Sequence, residues 1–448
     1  MTLFALIFYN LLFPLLFVLY LPIFLFKLIK RGDYNGGFLE RFGIFSASKK
    51  EKLKNLKSPI WVHAVSLGET ITALSFIREW TKLEPGLQFV LSTTTSSGQK
   101  LAQKQAPKNV VTIYCPIDYF ICVWAALNTI KLQMLIIFEV EIWPNLIVFA
   151  SRLNIKLALV NGRMSDNSAR NYSRHRWFFR NIFSRFSIIC AQSEEDAHRI
   201  KAIIGNQLHV KVCNTMKFDQ GAPDLQENHI RALIDRVFPD KNRIIFIAAS
   251  THPGEELTMV RAFKIMIAEF PSLEFILAPR HIERANEVEK LLKKESINYA
   301  LLTDLVESRG NDHSSPLITG SFSGELKKNI LLVNTTGELR SLYAISDIVF
   351  IGKSLGKNRG GHNIIEPAIF GKPIIFGRNM DNFRQVAKIF KENNAAIEVD
   401  NEKDFLVAFH RLLSDPAERK RLEKISKETV AKNRGAVNKT IDLLRGDN

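Results

Sequence analysis

Short apolar runs alternate with amphipathic stretches along most of this 448-residue chain; the alternation stops once and then resumes. The first series places candidate strands at 60–65, 88–92, 132–138, 157–160, 188–191 and 209–212, with helical patterns such as Glu69–Trp80 between them. Polar, charged sequence from Gln220 to Asn242 interrupts it. The second series runs through 244–249, 273–278, 330–333, 348–351, 373–376 and 395–399. Apolar strands separated by amphipathic helices specify a parallel sheet covered on its faces. The chain therefore reads as two Rossmann-like α/β domains with a boundary near 220–240, and its length suits two cores better than one. Ligands of such sheets bind beyond the carboxyl ends of the strands, so two such domains would face each other across a cleft. The Ser- and Gly-rich stretch Ser308–Gly324 reads as a surface loop.

The N-terminus adds a third part. Met1–Phe26 contains no charged residue and no histidine, and Lys27, Lys30 and Arg31 follow it. Crossing a bilayer takes roughly 20 apolar residues, so the stretch is long enough. It lacks the basic start and small-residue cleavage site of a secretory signal. Pro14 and Pro22 leave two arrangements open, a kinked span and a helix lying in one leaflet. In either case the basic cluster places the rest of the chain on the cytoplasmic side. The expected division is an anchor at 1–30, a first domain at 31–225 and a second at 226–448. Four cysteines with no CxxC exclude a disulfide framework and a zinc ribbon, and read as small buried hydrophobes in a reducing compartment. A net charge of +16 asks for an anionic partner: nucleic acid, acidic lipid or an anionic substrate.

Several motifs fall where strands end. In W-V-H-A-V-S-L-G-E-T (61–70) a strand runs into a turn and a helix start, which puts Glu69 at the strand's carboxyl end. Glu69 is either a general base or an acid complementing the helix dipole. In F-E-V-E-I-W-P-N-L (138–146), Glu139 and Glu141 follow a wholly apolar strand, a poor place for core residues and a good one for a site. Their i, i+2 spacing would point both the same way if the strand continued, yet no other cluster has metal-ligand spacing and no metal is expected. Lys217 in N-T-M-K-F-D (214–219) can neutralise developing negative charge or simply sit solvated in a loop. The block Arg152–Arg185 holds eight Lys or Arg and one acid, interleaved with Tyr172, Trp177, Phe178 and Phe179. It suits nucleic acid or anionic headgroups, and beside an anchor the headgroup reading is preferred. In the second series, A-P-R-H (278–281), T-T-G-E-L (335–339) and R-G-G-H-N-I-I-E-P (359–367) also end strands or open helices. Arg280 and glycine-rich turns there suit a phosphate, and Glu366 can bond ribose hydroxyls. The spacing matches neither the P-loop nor the dinucleotide-binding glycine pattern.

Taken together, A-V-S-L-G-E-T, E-V-E-I-W-P-N-L, N-G-R-M-S, A-Q-S-E-E-D, M-K-F-D, A-S-T-H-P-G-E-E, A-P-R-H, T-T-G-E-L and R-G-G-H-N-I-I-E-P, in that order, resemble the 3-deoxy-D-manno-octulosonic acid (Kdo) transferases of lipopolysaccharide synthesis. The likeness runs from the anchor almost to the C-terminus. It implies the two-Rossmann glycosyltransferase architecture called GT-B, CMP-Kdo as donor and a phosphorylated, acylated glucosamine disaccharide (a lipid A precursor such as lipid IVA) as acceptor. It implies a proton acceptor at Glu69 and a transition-state-stabilising pair at Glu139 and Lys217. It also implies CMP contacts at Pro279 and Arg280, at Thr336, Gly337 and Glu338, and at Asn363, Ile364, Ile365 and Glu366. The chain departs from the family pattern at Ser66-Leu67-Gly68-Glu69 (usually S-V-G-E), at Gly352-Lys353-Ser354 (usually G-G-S) and at Asn214–Asp219 (usually G-N-L-K-F-D).

On this reading Glu69 deprotonates an acceptor hydroxyl, the hydroxyl attacks the anomeric carbon of Kdo, and CMP leaves. Arg280 and helix N-termini meet its phosphate charge, with no cofactor. The expected place is the cytoplasmic side of the inner membrane, with membrane lipids as partners and no nucleic acid. Two other classes stay open: another GT-B sugar-nucleotide enzyme such as an epimerase, and a membrane-anchored nucleic-acid-binding protein.

Overall fold

The computed structural model describes residues 2–30, 37–205, 210–219, 234–235, 237–238, 240, 242–307 and 330–446. The Ser308–Gly324 stretch and most of Gln220–Asn242 lie outside the described residues. Two compact units result: Met1–Gln220 with Asn433–Asn448, and Gly221–Lys432.

The first unit is a seven-stranded parallel sheet of β1 (Ile60–Ala64), β2 (Phe89–Thr93), β3 (Val110–Tyr114), β4 (Met134–Phe138), β5 (Lys156–Gly162), β6 (Ile188–Ala191) and β7 (Val210–Val212), in the order β3-β2-β1-β4-β5-β6-β7. This is the Rossmann order with one strand added at the edge. β1, β2 and β4 are buried along their whole length, as strands covered on both faces must be. The second unit has β8 (Ile244–Thr251), β9 (Leu273–Pro279), β10 (Tyr299–Leu301), β11 (Ile330–Leu332), β12 (Ile348–Ile351), β13 (Ile374–Gly377) and β14 (Ile397–Val399), all parallel, in the order β10-β11-β9-β8-β12-β13-β14.

The last helix, Ala436–Arg445, belongs to the first unit, not to the second as the sequence division had it. Val437, Ile441 and Leu444 enter the first unit's core, and the Asp219 carboxylate accepts the Gly435 and Val437 N–H groups at the start of the helix.

The N-terminal stretch is a continuous helix, α1 (Thr2–Lys30), with Pro14 and Pro22 inside it. Among the described residues no helix is long and apolar enough to cross a membrane. One face of α1 packs on the first unit: Leu6 is buried in its core, Tyr9 packs against that core, and Phe13 stacks on Tyr119. Phe4, Phe8, Leu11, Leu15, Val18 and Leu19 on the other face are exposed.

Candidate active site

β1 ends at Ala64 and helix Leu67–Leu83 begins three residues later with Ser66 as its N-cap. Glu69 occupies the third helical position, where a capping-box acid sits. Its backbone N–H donates to Ser66 Oγ (3.3 Å), while Ser66 Oγ–H and the Val65 N–H donate to its two carboxylate oxygens, each at 2.8 Å. Glu69 is therefore a helix cap, but not an ordinary exposed one. It is 9% exposed, and burial together with the nearby Glu139 charge raises its pKa above the usual range for Glu. A buried, perturbed carboxyl at the carboxyl end of a strand is a candidate proton acceptor as well as a cap.

Glu139 and Glu141 do not point the same way from an extended strand, because the strand stops. β4 ends at Phe138, and Glu139 has a left-handed φ of 55°, held by its N–H donating to Val160 O at 2.9 Å. A non-glycine residue there carries a strain of order 1–3 kcal/mol, which persists only where surroundings impose it. Glu141 is half-buried, and its carboxyl is pushed up to about 7 by burial, then by the charges of Glu69 and Glu139. Lys217, in a short 3-10 turn (Met216–Asp219), belongs to the same cluster. Burial lowers its pKa and Arg163 does so further, while Glu139 and Glu69 act in the opposite direction. The structure thus brings Glu69, Glu139, Glu141 and Lys217 into one electrostatic neighbourhood of three carboxylates and two cations, from four separate segments. Among the described residues no group of three or more His, Cys, Asp or Glu is arranged to hold a metal ion.

Three supporting residues were not singled out from sequence. His63 on β1 is fully buried, bonded through Nδ1 to Ser92 Oγ (2.8 Å), and meets the Trp143 ring edge-on; burial pulls its pKa down to about 4. Asn161 accepts the Met216 N–H on its Oδ1 (3.1 Å) and so fixes the Lys217 turn. Asp196 accepts the Met164 N–H at 2.8 Å, just after Arg163. Their signal was present, polar residues inside apolar strands or helix starts, but a buried polar residue has too many ordinary explanations to be assigned a role alone.

In the second unit, buried Pro279 and exposed Arg280 end β9. Thr336 and Gly337 are exposed, and Glu338 accepts from Thr335 Oγ1 (2.8 Å). Asn363 accepts the Ile365 N–H (3.1 Å) and donates to Glu366 (3.2 Å), which also pairs with Arg340 (3.5 Å); Ile364 and Ile365 are buried. The helices that follow, Leu339–Ile345 and Ile365–Ile369, have seven and five residues, too short to present a useful dipole. Positive charge comes instead from the side chains of Arg280, Arg284 and Lys353, which surround a pair of neutral histidines. His252 and His362 approach to 3.3 Å, and His281 meets His252 edge-on. Burial, then the charges of Lys353 and Arg280 among others, holds His252 near 4 and His362 near 3. Buried Glu255 staples the adjoining loop by accepting the His252, Lys353, Ser354 and Leu355 N–H groups at 2.8–3.0 Å. Lys353 has a φ of 58°, the conformation that explains a glycine in the family pattern at this position.

The basic block is not one surface. Arg163 faces the Lys217 turn, Lys156 bonds Leu444 O and Arg185 bonds Ser151. Arg170, Arg174, Arg176 and Arg180 are exposed on helices Asp166–Arg174 and Arg176–Phe183. Of the four interleaved aromatics, Tyr172, Phe178 and Phe179 pack against the core and Trp177 is exposed, which leaves little for stacking nucleobases. All four cysteines are buried and unpaired.

Residues 36–220 match the family described as 3-deoxy-D-manno-octulosonic-acid transferase (kdotransferase). A 3-deoxy-D-manno-octulosonic acid transferase of Haemophilus influenzae is 30% identical over 418 residues, 93% of this chain and 92% of that protein. Its counterpart in Rickettsia prowazekii is 30% identical over 358 residues, 80% of this chain and 72% of that protein. Among solved structures, a UDP-GlcNAc 2-epimerase from Neisseria meningitidis superposes with a TM-score of 0.59 at 13% identity, covering 87% of this chain and 100% of that one. A glycosyltransferase from Rickettsia africae gives 0.58 at 13% identity, covering 86% and 97%. These two likenesses show the fold alone, which is GT-B with two Rossmann-like domains.

Proposed function

Because the chain belongs to the 3-deoxy-D-manno-octulosonic acid (Kdo) transferase family, we propose that it moves Kdo from CMP-Kdo onto a lipid A precursor such as lipid IVA. As a member of that family it is a Kdo-transferring glycosyltransferase of lipopolysaccharide synthesis. The observation that carries the finer reading is the cluster of Glu69, Glu139 and Lys217, three residues whose charges act on one another across separate segments.

In this mechanism ionised Glu69 takes the proton of an acceptor hydroxyl. The hydroxyl oxygen bonds to the anomeric carbon of Kdo as the bond from that carbon to the CMP phosphate oxygen breaks, and the electron pair leaves with CMP. Burial and the Glu139 charge favour the protonated form of Glu69 and so make its carboxylate a stronger base. Lys217 stabilises negative charge that develops in the transition state, and Glu139 keeps the ammonium charged against burial. Pro279, Arg280, Thr336, Gly337, Glu338 and the segment Asn363–Glu366 hold CMP. The mechanism asks for no metal.

The protein works at the cytoplasmic face of the inner membrane, the exposed apolar face of α1 lying in the bilayer and Arg170, Arg174, Arg176 and Arg180 meeting anionic headgroups or acceptor phosphates. This is supported by the contact of α1 with helix Arg176–Phe183, which puts apolar and basic surface side by side in one unit. Incubating the protein with CMP-Kdo and a tetraacylated lipid A precursor, while following CMP release and product mass, tests the function. Release of CMP with a product heavier by one or more Kdo units is the expected result, and an unchanged acceptor overturns it.

A further inference from the structure

The residues at 1–26 include only four polar side chains, Thr2, Tyr9, Asn10 and Tyr20. An anchor has no use for an asparagine, which costs free energy in an apolar phase unless it is hydrogen-bonded. In the structure Asn10 is bonded at every point. Its Nδ2 donates to Asn145 Oδ1 (2.8 Å) and to Leu6 O (2.8 Å), and its Oδ1 accepts from Asn145 Nδ2 (3.0 Å) and from the Phe120 N–H (3.2 Å). The two amides form a closed reciprocal pair. The Phe120 N–H opens helix Phe120–Thr129, which has no side-chain cap of its own. Beside this pair, buried Asp118 caps helix Pro144–Arg152 by accepting the Asn145 and Leu146 N–H groups (3.0 and 2.9 Å), and Tyr9 donates its hydroxyl to the same carboxylate (3.2 Å).

These contacts grip one end of the segment that carries Glu139 and Glu141. That segment leaves β4 at Phe138, where the Glu139 N–H is tied to Val160, and re-enters regular structure at Pro144. It is tied to the sheet at one end and to Asn145 with its partners at the other, and Val140, Ile142 and Trp143 pack against the core between them. Asn145 is fully buried and its Nδ2 also donates to Asp118 O (2.6 Å), so removing Asn10 keeps that bond but takes away the donor to the buried Asn145 Oδ1.

We propose that Asn10 is a positioning residue: it clamps Asn145 and thereby holds the Glu139–Glu141 segment in its strained course, so that the docked N-terminal helix is part of the catalytic architecture and not merely a tether. The inference rests on the Kdo transferase reading for its kinetic consequence, not for its geometry.

The test uses the full-length protein with Asn10→Leu, which keeps the shape of the side chain and makes α1 more apolar, and Asn10→Gln, which keeps the amide. Activity is measured in detergent with donor and acceptor saturating, so that membrane attachment does not enter. Asn10→Leu is expected to lower kcat by about 10- to 100-fold, the scale of an ångström-sized misplacement, with the KM for CMP-Kdo within about twofold. Its acid limb should also move to lower pH. Glu69, Glu139, Glu141, Lys217, Arg163 and Tyr172 are the titratable groups in mutual range here. Loosening the segment hydrates Glu69 and Glu141 and moves them away from neighbouring negative charge, which lowers their raised pKa values. Asn10→Gln should restore much of the rate. Hydrogen exchange should speed up in 118–122 and 139–147 and stay unchanged elsewhere. An unchanged kcat in detergent, including loss confined to membranes, overturns the proposal. So does a loss with an unmoved acid limb and faster exchange throughout the unit, the signature of a merely structural residue. If the wild type transfers no Kdo, the activity reading fails by itself, and the exchange pattern still decides the clamp: local loosening supports it and no change refutes it.

Discussion

Glu69 caps its helix and is proposed as the base, and a single substitution separates the two. Gln also serves in a capping box, so Glu69→Gln should keep the helix start while losing the base. We expect CMP binding and thermal stability close to wild type and turnover lower by roughly 10²- to 10⁴-fold; near-normal turnover would return Glu69 to a cap alone. The Glu139 charge is the second cause of the raised Glu69 pKa, after burial. Glu139→Gln should therefore move the acid limb of kcat to lower pH, besides lowering kcat, because a Glu69 relieved of that charge ionises sooner. His63 offers a stability test. Its folded pKa of about 4 lies below the usual 6.5, so its contribution is full above pH 6.5 and is lost as pH falls towards 4. That loss is about 3 kcal/mol at most. Glu141, with a folded pKa raised to about 7, acts oppositely, its contribution being lost as pH rises through 7. Only the difference between wild type and His63→Gln isolates the histidine: urea unfolding from pH 7 to 4.5 should show a shallower decline for the variant.

At the scale of elements, the M-K-F-D motif divides its work. Lys217 faces the carboxylates, while Asp219 caps a helix that begins more than two hundred residues later, at Ala436, accepting from Val437 N–H at 2.6 Å. Gly435 provides no side-chain cap of its own. Asp219→Ala should cost about 0.5–2 kcal/mol, as lost N-caps do, and should accelerate hydrogen exchange in 436–445. Twelve of the fourteen strands were legible as apolar runs. The two that were not, β3 and β10, are partly exposed edge strands. The Glu139–Glu141 pair was found from its place after an apolar strand. Its left-handed turn was not, because nothing in F-E-V-E announces a positive φ.

For the whole molecule, the proposed attachment to the membrane would join two forces with different salt responses. Apolar burial of the exposed α1 face is not screened, whereas each basic residue near an anionic surface contributes about 1 kcal/mol and is screened by salt. The full-length protein should stay in the membrane fraction at high salt, and Arg170→Glu with Arg174→Glu and Arg180→Glu should weaken binding to anionic vesicles at low salt while leaving the salt-resistant part. Removing residues 1–30 is a poor substitute, since it would strip Leu6, Tyr9 and Asn10 from the core, Asp118 and Asn145. EDTA should leave turnover unchanged; loss on chelation with recovery on adding Mg²⁺ would make Glu139 and Glu141 ligands. The sequence alone determined twelve of the strands and the motifs that follow them, because period and strand-end position are local properties of the chain. Tertiary structure decided that α1 docks on the first unit, that the last helix returns to that unit, and that the charges of Glu69, Glu139 and Lys217 act on one another. Each depends on partners far apart in the chain, such as Asn10 and Asn145, separated by 135 residues, whose meeting no local pattern encodes.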